Sequence, residues 1–282
     1  SYFGLHKLSH ARQVFHITDG NVGAMQTPRL IALDMDGTLL DPSGQVPDEF
    51  WPLLAAARSQ GVTLAPASGR QLATLQTMFS GCDTFIAENG AVVWHGGQVV
   101  STTALPDEPV RRVLAALPDA PFAGHAVVCA PEVAATEELP PEVDKEVDKY
   151  YASRTMLLDA PPAPTVKVAL YIETDAERDA YPWVRELVPE LRAVVSGAHW
   201  VDLMHPDADK GKALAELAGV LGVDMAETAA FGDYLNDYGM LRAAGHAVAM
   251  GNAHDDLKAV ADEVVGTNAE HAVVDKLVQW LQ

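Results

Sequence analysis

The chain has 282 residues, of which 49% are hydrophobic and 21% charged, a globular usage that excludes wholesale disorder and collagen-like architecture. Its 19 Lys and Arg against 39 Asp and Glu give a formal net charge of −20, a field that repels nucleic-acid phosphates and anionic lipid, and its densest cation cluster is the pair Arg111-Arg112. Neither nucleic acid nor a membrane is therefore expected as a partner, and an anionic substrate needs a local positive site, a metal ion or a few placed cations, to be received.

Cys82 and Cys129 are too few for a disulfide framework or a cysteine zinc site, and no apolar run approaches the length of a membrane span. No secretory pattern opens the chain, so the cytoplasm is the expected compartment, with a monomer or small homo-oligomer as the expected state. Residues 1–24 are polar, lack periodicity and precede Met25; they read as a leader or tag-like extension, with His6 and His10 as part of a solvated tail.

From there short apolar runs alternate with helical patterns. A strand is expected over 30–33, a helix over 50–59, a strand over 62–65, a helix over 71–79 and a strand over 85–87. Residues 91–93 and 98–101 flank His95-Gly96-Gly97, a hairpin signal, and many prolines punctuate the middle of the chain beyond it. Strand-like segments at 126–129, 166–172, 191–195 and 200–203 intermix with helical ones at 108–116 and 176–187. The first rhythm then returns: a helix over 211–221, a strand over 228–231, a helix near 237–244, and strands over 247–250 and 263–265. Runs continuous in Val, Leu, Ile and Ala suit a parallel sheet buried on both faces. The expected fold is α/β: a doubly wound parallel-sheet core, residues 25–93 and 201–282, interrupted by an α+β insertion over 94–200.

The chemistry collects where core strands end. Asp34-Met35-Asp36-Gly37-Thr38 follows the first strand, Ser68-Gly69-Arg70 the second, Glu88-Asn89-Gly90 the third, and Gly232-Asp233 with Asn236-Asp237 the strand at 228–231. One polar residue after a strand is ordinary turn chemistry. Four such ends in one sheet, mostly acidic, mark the edge at which open α/β sheets bind ligands. Two carboxylates as close as Asp34 and Asp36 repel unless a cation intervenes or one holds a proton. A carboxylate beside a divalent ion stays ionised and can attack phosphorus, while a neighbour whose side chain is free of metal can carry a proton. Gly37 lets the chain turn past a phosphate, Thr38 can brace a carboxylate, Asp233 is a second hard oxygen ligand for Mg²⁺, and Asp237 can orient a metal-bound water. Lys210, ahead of a helix, supplies a point charge.

These stretches, Asp34-Met35-Asp36-Gly37-Thr38-Leu39, Ser68-Gly69-Arg70, Lys210-Gly211 and Gly232-Asp233-Tyr234-Leu235-Asn236-Asp237, resemble in order the four motifs of the haloacid dehalogenase superfamily. Glu88-Asn89-Gly90-Ala91 and Ala249-Met250-Gly251-Asn252-Ala253, followed by Ala261-Asp262, resemble its Cof-type phosphatases, whose Rossmann-like core carries a large α+β cap. The resemblance implies Asp34 as nucleophile, Asp36 as general acid and base, and Lys210 as charge neutraliser and phosphate holder. It implies Mg²⁺ held by Asp34, the main-chain carbonyl of Asp36 and Asp233, with Asp237 behind them. The phosphate-binding set that the resemblance implies is Met35, Gly37, Ser68, Gly69, Arg70, Asn89, Lys210 and Asn236, the last on the phosphate or on Lys210. Asp209, Ala272 and Ser68 stand where the family more often has a small residue, glycine and threonine, and Asp209 is expected to weaken the contact of Lys210 with phosphate. The expected partner is a small phosphate ester, a sugar phosphate or phosphorylated cofactor, hydrolysed through an aspartyl-phosphate. Phosphoryl transfer to a second sugar hydroxyl, and a phospho-ligand sensor without turnover, are the alternatives.

Overall fold

The computed structural model describes residues 26–282; the leader-like extension, with His6 and His10, lies outside the described residues. Two sheets organise the chain. The core sheet contains β1 (Leu30–Asp34), β2 (Thr63–Ala67), β3 (Thr84–Ala87), β4 (Val92–His95) and β5 (Gln98–Thr102), with α1 (Phe50–Ser59) between β1 and β2 and α2 (Leu72–Met78) between β2 and β3. After an excursion, the chain adds β12 (Thr228–Gly232), β13 (His246–Ala249) and β14 (Glu263–Val264), giving the order β14-β13-β12-β1-β2-β3-β4-β5. All pairings from β14 to β3 are parallel, and β4 and β5 are antiparallel. Every residue of β1 and β12 is buried, as expected of strands covered on both faces. Because the chain winds one way from β1 to β2 and later the other way from β12 to β13, the order reverses beside β1, which places a crevice at its carboxyl end.

The excursion forms a second sheet from β6 (Gly124–Cys129), β7 (Ala134–Thr136), β8 (Arg154–Met156), β9 (Lys167–Ile172), β10 (Arg192–Gly197) and β11 (Trp200–Met204), in the order β10-β11-β9-β6-β7-β8. On one face Val168, Leu170, Ile172, Val201 and Leu203 pack with Val110 and Val113 of α3 (Asp107–Ala116) and Val184 of α5 (Tyr181–Leu187). The other face, through Val127, Cys129 and Ala169, joins the same apolar cluster as β1 to β3, so the two sheets share a packed seam.

Three local readings change. The hairpin β4-β5, read from the sequence as largely within the insertion, pairs with β3 and completes the edge of the core sheet, while β11 pairs with β9 in the second sheet. The helix expected over 176–187 is divided into a wide helical turn at Ala176–Ala180 and α5, with Pro182 in the first turn of α5, where a missing N–H has no helical partner to lose. Pro141, one of the prolines expected to punctuate the middle of the chain, instead opens α4 (Pro141–Asp148) for the same reason.

Helix α6 (Lys210–Leu221) follows β11 and leads back to the core. Its first turn touches the end of β3: Gly90 has φ +95°, and a Cβ there would stand 2.3 Å from the carbonyl oxygen of Asp209. This approach carries Lys210 to the carboxyl edge of the sheet. Gly90→Ala combines left-handed backbone strain with overpacking, for an expected loss of about 2–5 kcal/mol of unfolding free energy in denaturant titration; a loss under about 0.5 kcal/mol would show that the contact yields freely.

Candidate active site

Asp34 closes β1, and its side chain is held at both oxygens. Oδ1 accepts from Lys210 Nζ at 2.8 Å, and Oδ2 accepts from the Thr38 hydroxyl at 2.8 Å. Lys210 Nζ also donates to Asp237 Oδ1 at 2.6 Å, and both of these side chains are fully buried. The other oxygen of Asp237 accepts from the backbone N–H groups of Asp233 at 3.0 Å and Tyr234 at 3.3 Å. Asp237 therefore spends its carboxylate on fixing Lys210 and on shaping the loop after β12. Asp233 Oδ1 lies 3.4 Å from the Thr38 hydroxyl. Gly37 makes this convergence possible: its φ is +75°, and a Cβ would stand 2.1 Å from Asp233 Oδ2.

Three carboxylates and one ammonium leave an excess of negative charge in a largely desolvated place. Burial pushes the carboxyl of Asp34 above its ordinary value despite the opposing charge of Lys210. Burial likewise raises Asp233, and it raises Asp237 to about 6 with help from the charge of Asp34. Burial alone would lower Lys210, but the charges of Asp237 and Asp34 reverse this and raise it, so the ammonium form is held firmly. Asp34, Asp233 and Asp237 have carboxylate oxygens within 4.8 Å of one another. A hard, all-oxygen, electron-rich cluster of this kind fits Mg²⁺. Asp237 is fully enclosed and one of its oxygens takes two backbone N–H groups, whereas Asp34 takes one donor at each oxygen and both Asp34 and Asp233 keep some exposure, so these two are the side chains placed to offer it an oxygen.

Around this centre, Ser68, Gly69, Asn89 and Asn236 come together. Ser68 is buried, and its hydroxyl accepts from the Arg70 N–H at 3.1 Å. A Cβ on Gly69 would stand 2.9 Å from Asn89 Nδ2, and Asn236 Nδ2 donates to Asn89 Oδ1 at 3.5 Å. Asn236 thus lies beside the Ser68 loop, and bracing Lys210 falls to Asp237 instead. Met35 buries its side chain in the core, which leaves only its backbone for a ligand. Arg70 Nη2 donates to both oxygens of Asp36 at 2.8 Å, and the Asp36 side chain is 71% exposed. The acid and the guanidinium therefore form an ion pair at the rim. Asp209 caps α6, its Oδ1 accepting from Gly211 N–H at 2.8 Å and Lys212 N–H at 3.0 Å. Its charge is spent on the helix terminus rather than on Lys210 Nζ.

Sequence reasoning assigned no role to Asn252 and Asn268. Asn252 Nδ2 donates to the Gly37 carbonyl at 2.8 Å, its Oδ1 accepts from Asn268 N–H at 3.2 Å, and Asn268 Nδ2 donates to the Leu40 carbonyl at 2.9 Å. Together they pin the turn after β1. The available signal was the place of Asn252 in the loop after β13, the same sheet edge at which Asp34 and Asp233 stand.

A family model for haloacid dehalogenase-like hydrolases matches residues 31–277. The chain belongs to this family. Within it the chain groups with the Cof-type phosphatases: it is 32% identical to Phosphatase YwpJ of Bacillus subtilis (strain 168), over 90% of this chain and 100% of the relative. It is 29% identical to 5-amino-6-(5-phospho-D-ribitylamino)uracil phosphatase YbjI of Escherichia coli (strain K12), over 90% of this chain and 96% of the relative. Among solved structures, a haloacid dehalogenase-like hydrolase from B. subtilis superposes with a TM-score of 0.72 at 29% identity, covering 89% of this chain and 99% of the other. No helix among the described residues is long and apolar enough to cross a membrane.

The raised carboxyl of Asp237 has a signed consequence. From its ordinary value of 3.8 up to about 6 the folded chain holds a proton that the unfolded chain has released, so this group's contribution to stability falls as pH rises through that window. A divalent cation offsets the charge that then appears. Millimolar Mg²⁺ should raise the Tm more at about pH 7.5 than at about pH 4.5 in paired calorimetric scans; equal gains at both would contradict the charge balance described.

Proposed function

We propose that this phosphatase hydrolyses small phosphomonoesters with Mg²⁺ through a phosphoryl-enzyme on Asp34. The observation that carries the reading is Asp34 itself, held by Lys210 and Thr38 at the reversal point of the sheet. Asp34 and Asp233, with the main-chain carbonyl of Asp36, would hold the metal, which when bound supplies the positive charge that lets an anionic ester approach a carboxylate.

Asp34 attacks phosphorus as the bond from phosphorus to the ester oxygen breaks, and Asp36 delivers its proton to the departing oxygen. Asp36 then takes a proton from water, the water oxygen attacks phosphorus, and Asp34 leaves as a carboxylate with release of inorganic phosphate. Lys210 stays charged throughout and offsets negative charge on Asp34 and on the transferring oxygens. Ser68, the backbone around Met35, Gly37 and Gly69, and the amides of Asn89 and Asn236 orient the phosphoryl group. The Asp36–Arg70 pair at the rim supports an exchange of partners: an arriving ester takes Arg70, and Asp36 is freed to face the leaving oxygen.

The second sheet and its helices act as a cap that selects the leaving group. Sugar phosphates and phosphorylated cofactors are the substrate class, a reading supported by the phosphorylated ribityl compound in the name of the E. coli relative.

Free phosphate released from a panel of phosphomonoesters in the presence of Mg²⁺ tests the reaction. Chelation should abolish release and Mg²⁺ restore it, and Asp34→Asn should be inactive. Asp36→Asn should slow release of the alcohol in the first step roughly 10²–10⁴-fold on alkyl esters and much less on an activated aryl phosphate, whose departure needs little protonation. Full turnover after exhaustive chelation, or an equal loss on both ester types in the first-turnover burst of alcohol or phenol, would remove the mechanism.

A further inference from the structure

The seam between the two sheets holds a charged pair that the proposed chemistry does not use. Glu88 at the end of β3 and Lys167 at the start of β9 meet Oε2 to Nζ at 2.6 Å, with side chains 0% and 4% exposed. The Tyr151 ring lies 5.2 Å from the ammonium, and Glu88 Oε1 has no hydrogen-bond partner among the described residues. A pair so far out of water adds little net stability, because desolvation cancels most of its Coulomb gain and an apolar pair of similar volume would serve as well. Breaking such a pair is costly, since each charge left alone stays buried. Set among apolar contacts that tolerate sliding, and with the buried carboxylate of Asp202 near it, it therefore favours one relative position of the two sheets over neighbouring ones.

That position is tied to the phosphate loop. Glu88 and Asn89 take left-handed backbone, φ +51° and +53°, and their N–H groups donate to the carbonyls of Arg70 at 3.0 Å and Ser68 at 2.9 Å. Just beyond that loop Gln71 exchanges two hydrogen bonds with the backbone of Ser153, at 2.8 and 3.1 Å. The Thr74 hydroxyl donates to the Tyr150 carbonyl at 2.9 Å and accepts from Ala152 N–H at 3.3 Å. Both sets of contacts fasten the second sheet's body to the stretch of core beyond Ser68.

We infer that Glu88 and Lys167 are positioning residues whose ion pair fixes the closed placement of the second sheet over the phosphate site. The inference rests on the cap role proposed above. The double variant Glu88→Gln/Lys167→Met removes both charges at similar volume and leaves neither alone. Hydrogen exchange of the Ala152 and Ser153 amides, which bond across the seam, reads placement without catalysis. These amides should exchange at least about tenfold faster in the double variant, while Lys167→Arg, which keeps the charge, should retain most of the protection. In phosphate-release assays the double variant should raise KM for a sugar phosphate about tenfold and leave kcat on an aryl phosphate within about threefold. Should the double variant not fold, Glu88→Asp, which keeps the charge but falls short of Lys167, is read by the same two measurements. Unchanged protection of Ala152 and Ser153 in the folded variant would overturn the inference whatever the substrates do; absence of phosphate release from the wild-type protein would overturn the proposed reaction and leave the exchange result standing.

Discussion

One ammonium, buried between two carboxylates at the carboxyl edge of the core sheet, sets the terms for everything around it. Lys210 bonds Asp34 and Asp237 at once, with Asp233 close by, so the site is short of positive charge by construction. Desolvation makes that shortage costly, and the raised carboxyls of Asp34, Asp233 and Asp237 are its expression. A chain with a formal charge of −20 would repel a phosphate ester unless such a centre could take up a divalent cation. The same shortage that burdens the centre therefore prepares it for metal and substrate together.

The fold delivers these groups by close backbone approaches. Asp34 and Asp233 arrive on β1 and β12, paired in parallel so that both strands end at one edge. Lys210 arrives because Gly90 lets β3 and α6 touch, and Asp233 reaches Asp34 because Gly37 leaves room for its carboxylate. Asn252 and Asn268 hold the turn between them. The Asp36–Arg70 pair stands partly in solvent at the rim of the site, and the Glu88–Lys167 pair is closed to solvent in the seam between the sheets.

The core strands and the acidic ends were legible because strands buried on both faces read as continuous apolar runs and because strand ends mark the binding edge. Asp34 and Asp233 were legible for the same reason, whereas Lys210, which opens a helix and ends no core strand, joined them through the resemblance of Lys210-Gly211 to a family motif. The insertion was less so: β7 and β8 have three residues each, too few to show alternation, and Pro141 begins a helix rather than ending one. The placement of β4-β5 depended on a pairing partner, β3, which no local pattern of those strands names. Asp209 read as a charge beside Lys210 because sequence distance does not reveal that its oxygen caps α6. The Asp36–Arg70 and Glu88–Lys167 pairs join residues far apart in the chain, and only folding brings them within reach.

In the proposed reaction Lys210 and Thr38 hold Asp34, and not Asp36, as the carboxylate that takes the phosphoryl group. Acid quench of the Mg²⁺-loaded protein within the first turnover of an aryl phosphate, followed by peptide mass spectrometry, reads this directly. The expected result is a hydroxylamine-sensitive phosphoryl adduct on Asp34 that accumulates in Asp36→Asn, where water is no longer deprotonated efficiently. An adduct on Asp36, or its formation by Asp34→Asn, would contradict it.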